Sequence, residues 1–175
     1  MRASEKASQR PNLEHILFSS LGGFAGILAI ERMGFALGIT GIDNLFLIGS
    51  FGASAVLVYG VPRAEFSQPR NLVGGHFVSA LVGVTTFQFL GSDSFWACPV
   101  AVAFAIFAMQ ITRTVHPPGG ATALIAVAGG EKITSLGFLY VFCPVLTGTI
   151  ILVMVALLVN NVSCNQSRSY PHYWW

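Results

Sequence analysis

Charge is what this sequence has least of. Only 9% of its 175 residues are Asp, Glu, Lys or Arg, against about 25% in an average soluble domain. Because 54% of the chain is apolar, it cannot cover itself with water-facing side chains. The net charge of +2 is too small and too scattered to indicate nucleic-acid binding, which usually leaves a concentrated basic patch. These scarcities exclude a soluble domain and a nucleic-acid partner.

Chemically reactive groups are scarce as well. The three cysteines, Cys98, Cys143 and Cys164, show neither C-x-x-C pairing nor metal-ligand spacing, so we expect no metal, disulfide or cofactor. The seven carboxylate side chains lie near predicted ends or loops, where no pair is placed for acid–base catalysis in the apolar interior. The sequence also lacks the G-x-x-x-x-G-K-[ST] loop of ATP-driven proteins. These features argue against an enzyme.

Apolar runs, by contrast, are long and almost free of charge. Runs of ~17–25 apolar residues fit the hydrocarbon core of a bilayer, and breaks at Gly, Pro and charged residues divide this chain into six elements. We therefore predict an all-α, polytopic transmembrane helix bundle whose second and fifth elements are short or interrupted. The predicted elements are Leu13–Ile30, about Leu45–Val61, Leu72–Leu90, Phe95–Thr112, Gly119–Gly129 and Leu136–Val159.

These elements define a transmembrane domain at residues 13–160, between a polar N-terminal segment at 1–12 and a polar, aromatic tail at 161–175. The first residues lack the apolar core of a signal peptide, so we expect an integral protein of a bacterial plasma membrane. With six crossings and a cytoplasmic N-terminus, seven of the nine basic residues face the cytoplasm, in agreement with the positive-inside rule. In the alternative topology, residues 113–130 form a re-entrant loop and the C-terminus changes sides.

The two halves of the chain resemble each other. Residues 52–60, GASAVLVYG, match residues 120–129, GATALIAVAG, and each copy opens the middle element of a three-element half. An odd number of elements per half places the copies in opposite orientations, which is typical of inverted-repeat transporters with a substrate site near the midplane. The alternative is chance recurrence, since small residues favour close packing of membrane helices.

The run RTVHPPGGATAL at 113–124 interrupts the apolar pattern. Pro117 and Pro118 cannot continue a helix from upstream, so we predict a helix that starts at Gly119 with its first backbone N–H groups unpaired. Such a helix start attracts an anion. Gly119 and Gly120 would let the anion approach the backbone closely, and Thr122 would add a hydroxyl donor.

The matching segment of the first half offers a second helix start. Ser50 is its expected N-cap, and Gly52, Ala53 and Ser54 follow. We predict that the two helix starts face each other near the midplane and bind a small anion without a fixed full charge. The alternative is that these small residues serve tight helix packing, which needs the same side chains.

Two histidines and two arginines complete the candidate site. His76 and His116 lie in apolar surroundings, where an ionisable imidazole can bind an anion or relay a proton. The alternative for each is a hydrogen bond to a backbone carbonyl that the neighbouring helix break leaves free. Arg70 and Arg113 fall at cytoplasmic ends and could steer an anion inward, or could serve only as topology signals.

Four of these motifs together resemble one family. The runs SFGASA at 50–55, QPRN at 68–71, GGH at 74–76 and HPPGGA at 116–121 are similar to the HPP family, small integral membrane proteins named for their His-Pro-Pro motif. Characterised members from cyanobacteria and chloroplasts are associated with nitrite transport. The resemblance therefore implies a secondary carrier or channel for nitrite or another small anion, within the lipid bilayer and as a possible homo-oligomer.

The resemblance conflicts with the sequence on one point. The family is often described as having four spans, whereas the punctuation of this chain predicts six elements. Short second and fifth elements would account for the difference. The alternative function is that of a structural or sensory membrane subunit without transport activity.

Overall fold

A computed structural model describes residues 10–36, 48–163 and 165–175 of the chain. Every regular element in these ranges is helical, which confirms the predicted all-α membrane bundle. The helices are α1 Leu13–Ala36, α2 Gly49–Ala55, α3 Pro69–Leu90, α4 Ala97–Ile111, α5 Pro117–Ala128, α6 Glu131–Thr134 and α7 Thr147–Val162. A π-helical segment, Val56–Gly60, extends α2, and another, Val141–Leu146, precedes α7. Two 3₁₀ turns are formed by Glu65–Ser67 and Gln166–Arg168.

The six predicted elements correspond to six apolar helices. Three of them are long and apolar enough to cross a membrane: Leu13–Ala36, Pro69–Leu90 and Val141–Val162. The short ones are the second, the fifth and, unexpectedly, the fourth, because α4 holds only 15 residues. The expected start of the second element, at residues 45–47, lies outside the described residues, as do residues 1–9 and Cys164.

The sixth element is not the uninterrupted helix that its apolar run predicted. Cys143 has extended backbone angles, φ −139° and ψ 115°, directly before Pro144. Proline lacks the N–H that a continuous helix needs and disfavours helical angles in the residue before it. The element is therefore broken near its beginning, and hydropathy alone could not reveal this break.

Helix packing follows the pattern that a 3+3 repeat predicts. In the first half, α1 packs against α2; in the second half, α4 packs against α5. Across the halves, α1 packs against α7, and α4 correspondingly packs against α3. If α1, α2 and α3 are exchanged for α4, α5 and α7, each of these contacts is replaced by its counterpart. The short α6 has no counterpart among these helices.

Glycines allow the closest approach between α3 and α5. A Cβ atom on Gly83 would lie 2.6 Å from the carbonyl oxygen of Ala123 and 2.7 Å from the Cβ of Ala126. Side chains can rotate away from a new methyl group, but a backbone carbonyl inside a helix cannot. The two helices can therefore keep this separation only if position 83 has no side chain.

We expect Gly83→Ala to lower the stability of the bundle by about 1–3 kcal/mol, the usual range for an overpacked core. Gly23→Ala on α1 is the matched control, since a Cβ there meets nothing within 4 Å among the described residues. Alanine is also the better helix former, by about 1 kcal/mol, so the control should be neutral or stabilising. Thermal unfolding of both variants in the same detergent measures the difference. Equal midpoints would contradict the close α3–α5 contact.

The C-terminal tail folds back onto the bundle. The side chain of Arg168 is fully buried and donates hydrogen bonds to the carbonyl oxygen of Tyr59 at 3.0 Å and to Oδ1 of Asn160 at 2.6 Å. It also donates to the carbonyl oxygen of His15 and to Oγ of Ser19. Arg168 thereby ties α1, α7 and the segment after α2 together.

The sequence indicates only a polar, aromatic tail here. Trp174 and Trp175 are exposed, whereas Arg168, which the predicted topology places among the cytoplasmic basic residues, is buried. Burial lowers the pKa of the Arg168 guanidinium, and the charge of Glu14 acts in the opposite direction. Burial likewise raises the pKa of Tyr170, whose hydroxyl donates to the carbonyl oxygen of Ser67 at 2.9 Å. The tail is thus a structural part of the bundle.

Candidate functional site

Five polar side chains with no exposed surface meet inside the bundle. They are contributed by α2, by α3, by the residue before α5 and by α5 itself. We refer to them as the buried polar cluster; its members are Ser50, Ser54, His76, His116 and Thr122. All five were among the residues that the sequence selected for the site.

A serine and a threonine bracket one imidazole ring. The Oγ of Ser54 lies 2.7 Å from Nε2 of His76, and the Oγ1 of Thr122 lies 2.6 Å from Nδ1 of the same ring. Ser54 also lies 2.8 Å from Nε2 of His116. Thr122 is joined to Oγ of Ser50 by a hydrogen bond of 2.9 Å. The cluster is one continuous chain of hydroxyl and imidazole groups.

This chain of groups ends on the backbone. Nδ1 of His116 donates to the carbonyl oxygen of Phe66, 2.7 Å away in the loop that precedes α3. The Oγ of Ser54 also lies 3.0 Å from the carbonyl oxygen of Ser50, one helical turn earlier. The hydroxyl of Tyr140 donates to the carbonyl oxygen of Thr122 at 3.1 Å. The sequence left open a bond to a backbone carbonyl freed by the neighbouring helix break; the acceptor is instead Phe66, which lies 50 residues from His116 in the sequence.

The contacts of the cluster give the relative direction of the two short helices. Ser50 contacts Thr122, whereas Ser54, one turn further along α2, contacts His116 at the start of α5. Moving forward along α2 therefore means moving backward along α5, so the two helices are antiparallel. This is the orientation that an inverted repeat requires.

The internal repeat also explains why one imidazole lies between two hydroxyls. Alignment of residues 52–60 with residues 120–129 makes Ser54 and Thr122 equivalent positions. These two hydroxyls contact the two nitrogens of His76 from opposite sides. The two positions that the repeat would make equivalent therefore contact the same ring.

Ring contacts and a glycine fix the positions of the histidines. The imidazole centroids of His76 and His116 are 4.9 Å apart, and the ring of Phe51 lies edge-on to His76 at 5.6 Å. A Cβ on Gly75 would lie 2.6 Å from the carbonyl oxygen of Thr114. Glycine at this position lets α3 approach the segment that carries His116.

The predicted anion site at the start of α5 is not formed as expected. The helix begins at Pro117 rather than Gly119, with His116 as its N-cap. Prolines therefore occupy N1 and N2, positions that would otherwise carry unpaired N–H groups. The next amide, that of Gly119, donates to the carbonyl oxygen of His116 at 2.8 Å. The His-Pro-Pro sequence thus removes the free backbone donors that we predicted there.

The other small residues of the predicted site lie outside the buried polar cluster, and their part in anion binding stays a prediction. Gly119 is a packing position, since a Cβ there would lie 2.7 Å from Oγ of Ser79. Gly120 is half-buried, whereas Gly52 and Ala53 are exposed. A Cβ on Gly52 or on Gly120 would meet nothing within 4 Å in the described part of the chain. Gly52 lines a groove against α1.

The N-cap prediction for α2 was also wrong. The N-cap is Ile48, and Ser50 lies inside the helix, where its hydroxyl contacts Thr122 instead. A serine shortly before an apolar run usually indicates a cap. The tertiary contact with α5, which lies 72 residues away in the sequence, gives this serine a different partner.

The two arginines lie outside the cluster. The guanidinium of Arg70, in the first turn of α3, lies over the ring of Tyr173 at 5.5 Å. Arg113 is exposed, with a positive φ of 58°, in the turn between α4 and α5. Asn71, next to Arg70, links the start of α3 to the segment between α4 and α5, since its Nδ2 donates to the carbonyl oxygen of Val115 at 2.8 Å. Steering of an anion by these arginines stays a prediction.

Comparison with known proteins assigns the family. The family model described as "HPP, transmembrane region" matches residues 8–171, nearly the whole chain. The chain belongs to the HPP family. Two Dictyostelium discoideum proteins named as transmembrane proteins are each 42% identical to this HPP protein, over 99% and 98% of its length. It spans only 56% and 60% of the length of these relatives. No solved structure matches it.

Proposed function

We propose that this HPP protein transports a small inorganic anion across the membrane, with nitrite as the substrate. The observation that carries the proposal is the buried polar cluster, which lies where α2 and α5 run antiparallel inside the bundle. Ionisable residues within membrane segments are rare and usually functional. Transporters built from inverted repeats bind their substrates at the repeat interface.

The chemistry of the cluster suits a small anion that must be released again. Hydroxyl and imidazole N–H groups can donate hydrogen bonds to an oxyanion. The members of the cluster carry no carboxylate that would repel the anion and no guanidinium or ammonium that would hold it tightly. Nitrite is the first substrate to test because the His-Pro-Pro and neighbouring motifs resemble a family whose characterised members are associated with nitrite transport.

Transport needs access to a cluster that has no exposed surface. Alternating access in inverted-repeat transporters arises when one repeat moves against the other around the site. The π-helical segment after α2 and the break at Cys143 are irregular points in the two halves, and such irregularities are frequent at functional sites. We propose that movement at these points opens the cluster to either side.

The orientation and location of the protein are part of the same proposal. We place the N-terminus in the cytoplasm because that topology satisfies the positive-inside rule. A bacterial plasma membrane stays the proposed location, although the matched relatives come from an amoeba. Protease protection of an N-terminal tag in sealed cells would support this orientation, and cleavage from outside would contradict it.

Exchange of isotope-labelled nitrite tests the function directly. Purified protein in vesicles loaded with unlabelled nitrite should take up external ¹⁵N-nitrite faster than protein-free vesicles, which account for permeation as nitrous acid. Competition by nitrate and formate in the same assay would define the selectivity. Uptake equal to that of protein-free vesicles at every pH would contradict the proposal and favour a structural or sensory subunit.

A structural role has one specific observation in its favour. The hydrogen bonds of the cluster connect α2, α3 and α5, so they could serve only to hold the helices together. Hydrogen bonds between membrane helices contribute about 0.6 kcal/mol on average. Five polar groups are therefore a weak means of stabilisation in a bundle that apolar packing already supports.

A further inference from the structure

The hydrogen-bond partner of His116 determines where that ring carries a proton. The carbonyl oxygen of Phe66 can only accept a hydrogen bond, and Nδ1 of His116 lies 2.7 Å from it. Nδ1 therefore carries a hydrogen. When His116 is uncharged, its Nε2 has a lone pair and must accept a hydrogen bond from the hydroxyl of Ser54, which lies 2.8 Å away.

The same reasoning continues through the rest of the uncharged cluster. Since Ser54 uses its one hydrogen on His116, it must accept from Nε2–H of His76. Nδ1 of His76 then has the lone pair and accepts from the hydroxyl of Thr122. In this arrangement the hydroxyl of Thr122 turns away from Ser50, to which it donates in the structure at 2.9 Å. The donors of the uncharged cluster point in one direction along the chain, from Thr122 towards His116.

The cluster also satisfies its hydrogen bonds when it holds one additional proton. If the proton is on His76, Nδ1–H donates to Thr122, and the hydroxyl of Thr122 turns to Ser50 at 2.9 Å. If the proton is on His116, its Nε2–H donates to Ser54, and the Ser54 hydroxyl turns to Nε2 of His76 at 2.7 Å, while Nδ1–H of His76 still donates to Thr122. A hydroxyl group has one hydrogen to donate and two lone pairs that accept, so Ser54 can donate to either imidazole while it accepts from the other.

We propose that the buried polar cluster is a proton-relay site in which one additional proton passes between His76 and His116 through the hydroxyl of Ser54. The observation that distinguishes this from a structural network is that the hydroxyls of Ser54 and Thr122 each lie within hydrogen-bond distance of two alternative acceptors. A network built for stability alone needs only one arrangement. This one accommodates three.

The transfer step conserves atoms and charge. With His76 doubly protonated, its Nε2–H proton moves to Oγ of Ser54 while the original Ser54 hydroxyl proton moves to Nε2 of His116. One N–H bond breaks and one forms, and one O–H bond breaks and one forms. His76 ends neutral, with hydrogen on Nδ1, and His116 ends as the imidazolium. Ser54 remains a hydroxyl throughout.

The contacts of the two imidazoles with other described residues involve no carboxylate, guanidinium or ammonium group. In the described part of the chain, the hydrogen-bond and ring contacts of the two imidazoles are hydroxyls, the Phe66 carbonyl, the Phe51 ring and each other. On the elements packed around the cluster, Tyr140 bonds the Thr122 carbonyl, and Glu65 and Arg70 flank the loop that carries Phe66.

Proton uptake and anion binding should therefore support each other, an inference that rests on the proposed function. A buried charge without a counterion is costly, so a proton on the cluster favours a bound anion. By linkage, the anion favours the proton by the same factor. The consequence is movement of nitrite together with a proton, and nitrite affinity that increases as the pH falls.

Nitrogen-15 NMR of the imidazoles tests the relay without any transport assay. In protein labelled with ¹⁵N-histidine and embedded in bilayers, we expect Nδ1–H on His116 and Nε2–H on His76 at high pH. Variants of His15 and His172, which lie outside the cluster, allow the signals to be assigned. Acidification should add one proton that both rings share. A hydrogen on Nε2 of uncharged His116, or the absence of uptake while the protein stays folded, would overturn the relay.

A transport experiment separates failure of the relay from failure of the proposed function. An imposed inward proton gradient should drive nitrite accumulation by the wild type, and His76→Gln and His116→Gln should lose this accumulation. Glutamine keeps a donor and an acceptor but cannot carry the additional proton. If the wild type exchanges nitrite but does not accumulate it in response to the gradient, the coupling of nitrite to protons is overturned, while the transport function stands. Absence of any nitrite flux, together with the expected NMR signals, would overturn the transport function and leave the relay site standing.

Discussion

Ser54→Ala is expected to abolish most nitrite transport while the protein still folds as an apolar bundle. The substitution removes the one hydroxyl that contacts both imidazoles, at 2.7 Å and 2.8 Å. A buried polar group left without a partner costs about 1–3 kcal/mol, which corresponds to a factor of about 5–150 in an equilibrium. Because two ring nitrogens lose their partner, we expect the loss of transport to lie towards the upper end of this range.

Thr149→Val is the matched control for this prediction. Thr149 is equally buried, but its hydroxyl donates to the carbonyl oxygen of Leu146 at 2.8 Å, the last residue of the π-helical segment before α7. Both substitutions remove one buried hydroxyl, so a general effect on folding should appear in both. Equal nitrite exchange rates in the two variants, at equal thermal stability, would show that the cluster has no part in transport.

Arg168→Met is expected to have the largest effect on stability. Two of the acceptors that the guanidinium satisfies, the Tyr59 carbonyl and Oδ1 of Asn160, are themselves buried. Each would be left without its donor, at about 1–3 kcal/mol apiece. Methionine fills much of the volume but donates no hydrogen bond. We expect a loss of about 2–6 kcal/mol of unfolding free energy, with detachment of the tail from the loop before α3.

Two further substitutions make this second prediction specific. Arg168→Lys keeps the charge but replaces the planar fork of donors by a single ammonium group, so it should rescue only part of the stability. Arg63→Met removes an exposed arginine from the loop after α2 and should change stability by less than about 0.5 kcal/mol. Denaturant titration in detergent gives all three values. An Arg168→Met protein as stable as the Arg63→Met protein would refute the anchoring role of the tail.

The sequence predicted the membrane bundle and the members of the cluster for clear physical reasons. Long apolar runs mark the helices, and a histidine or a hydroxyl within such a run must find a buried partner. The internal repeat further indicated that Ser54 and Thr122 occupy equivalent positions. The sequence could not show that both hydroxyls contact the same imidazole, since that depends on how α3 lies relative to α2 and α5.

The features that the sequence missed depend on backbone detail or on distant contacts. The prolines at 117 and 118 were expected to precede the helix, whereas proline suits its first positions, where an N–H is not needed. Gly119 then lies at a close packing contact. The partners of Arg168 lie on three separate parts of the chain, and no local pattern in the tail indicates them. Sequence patterns therefore identified which polar side chains are buried, but not which partners those side chains contact.

Contact between nitrite and the two imidazoles is the most direct test of the central claim, that the buried polar cluster is the anion site. Titration of nitrite into bilayers containing ¹⁵N-histidine-labelled protein should shift the His76 and His116 signals saturably. The His15 and His172 signals should stay in place, and Thr122→Val, but not Thr149→Val, should weaken the effect. Nitrite transport by a protein whose His76 and His116 signals do not respond to nitrite would contradict the account.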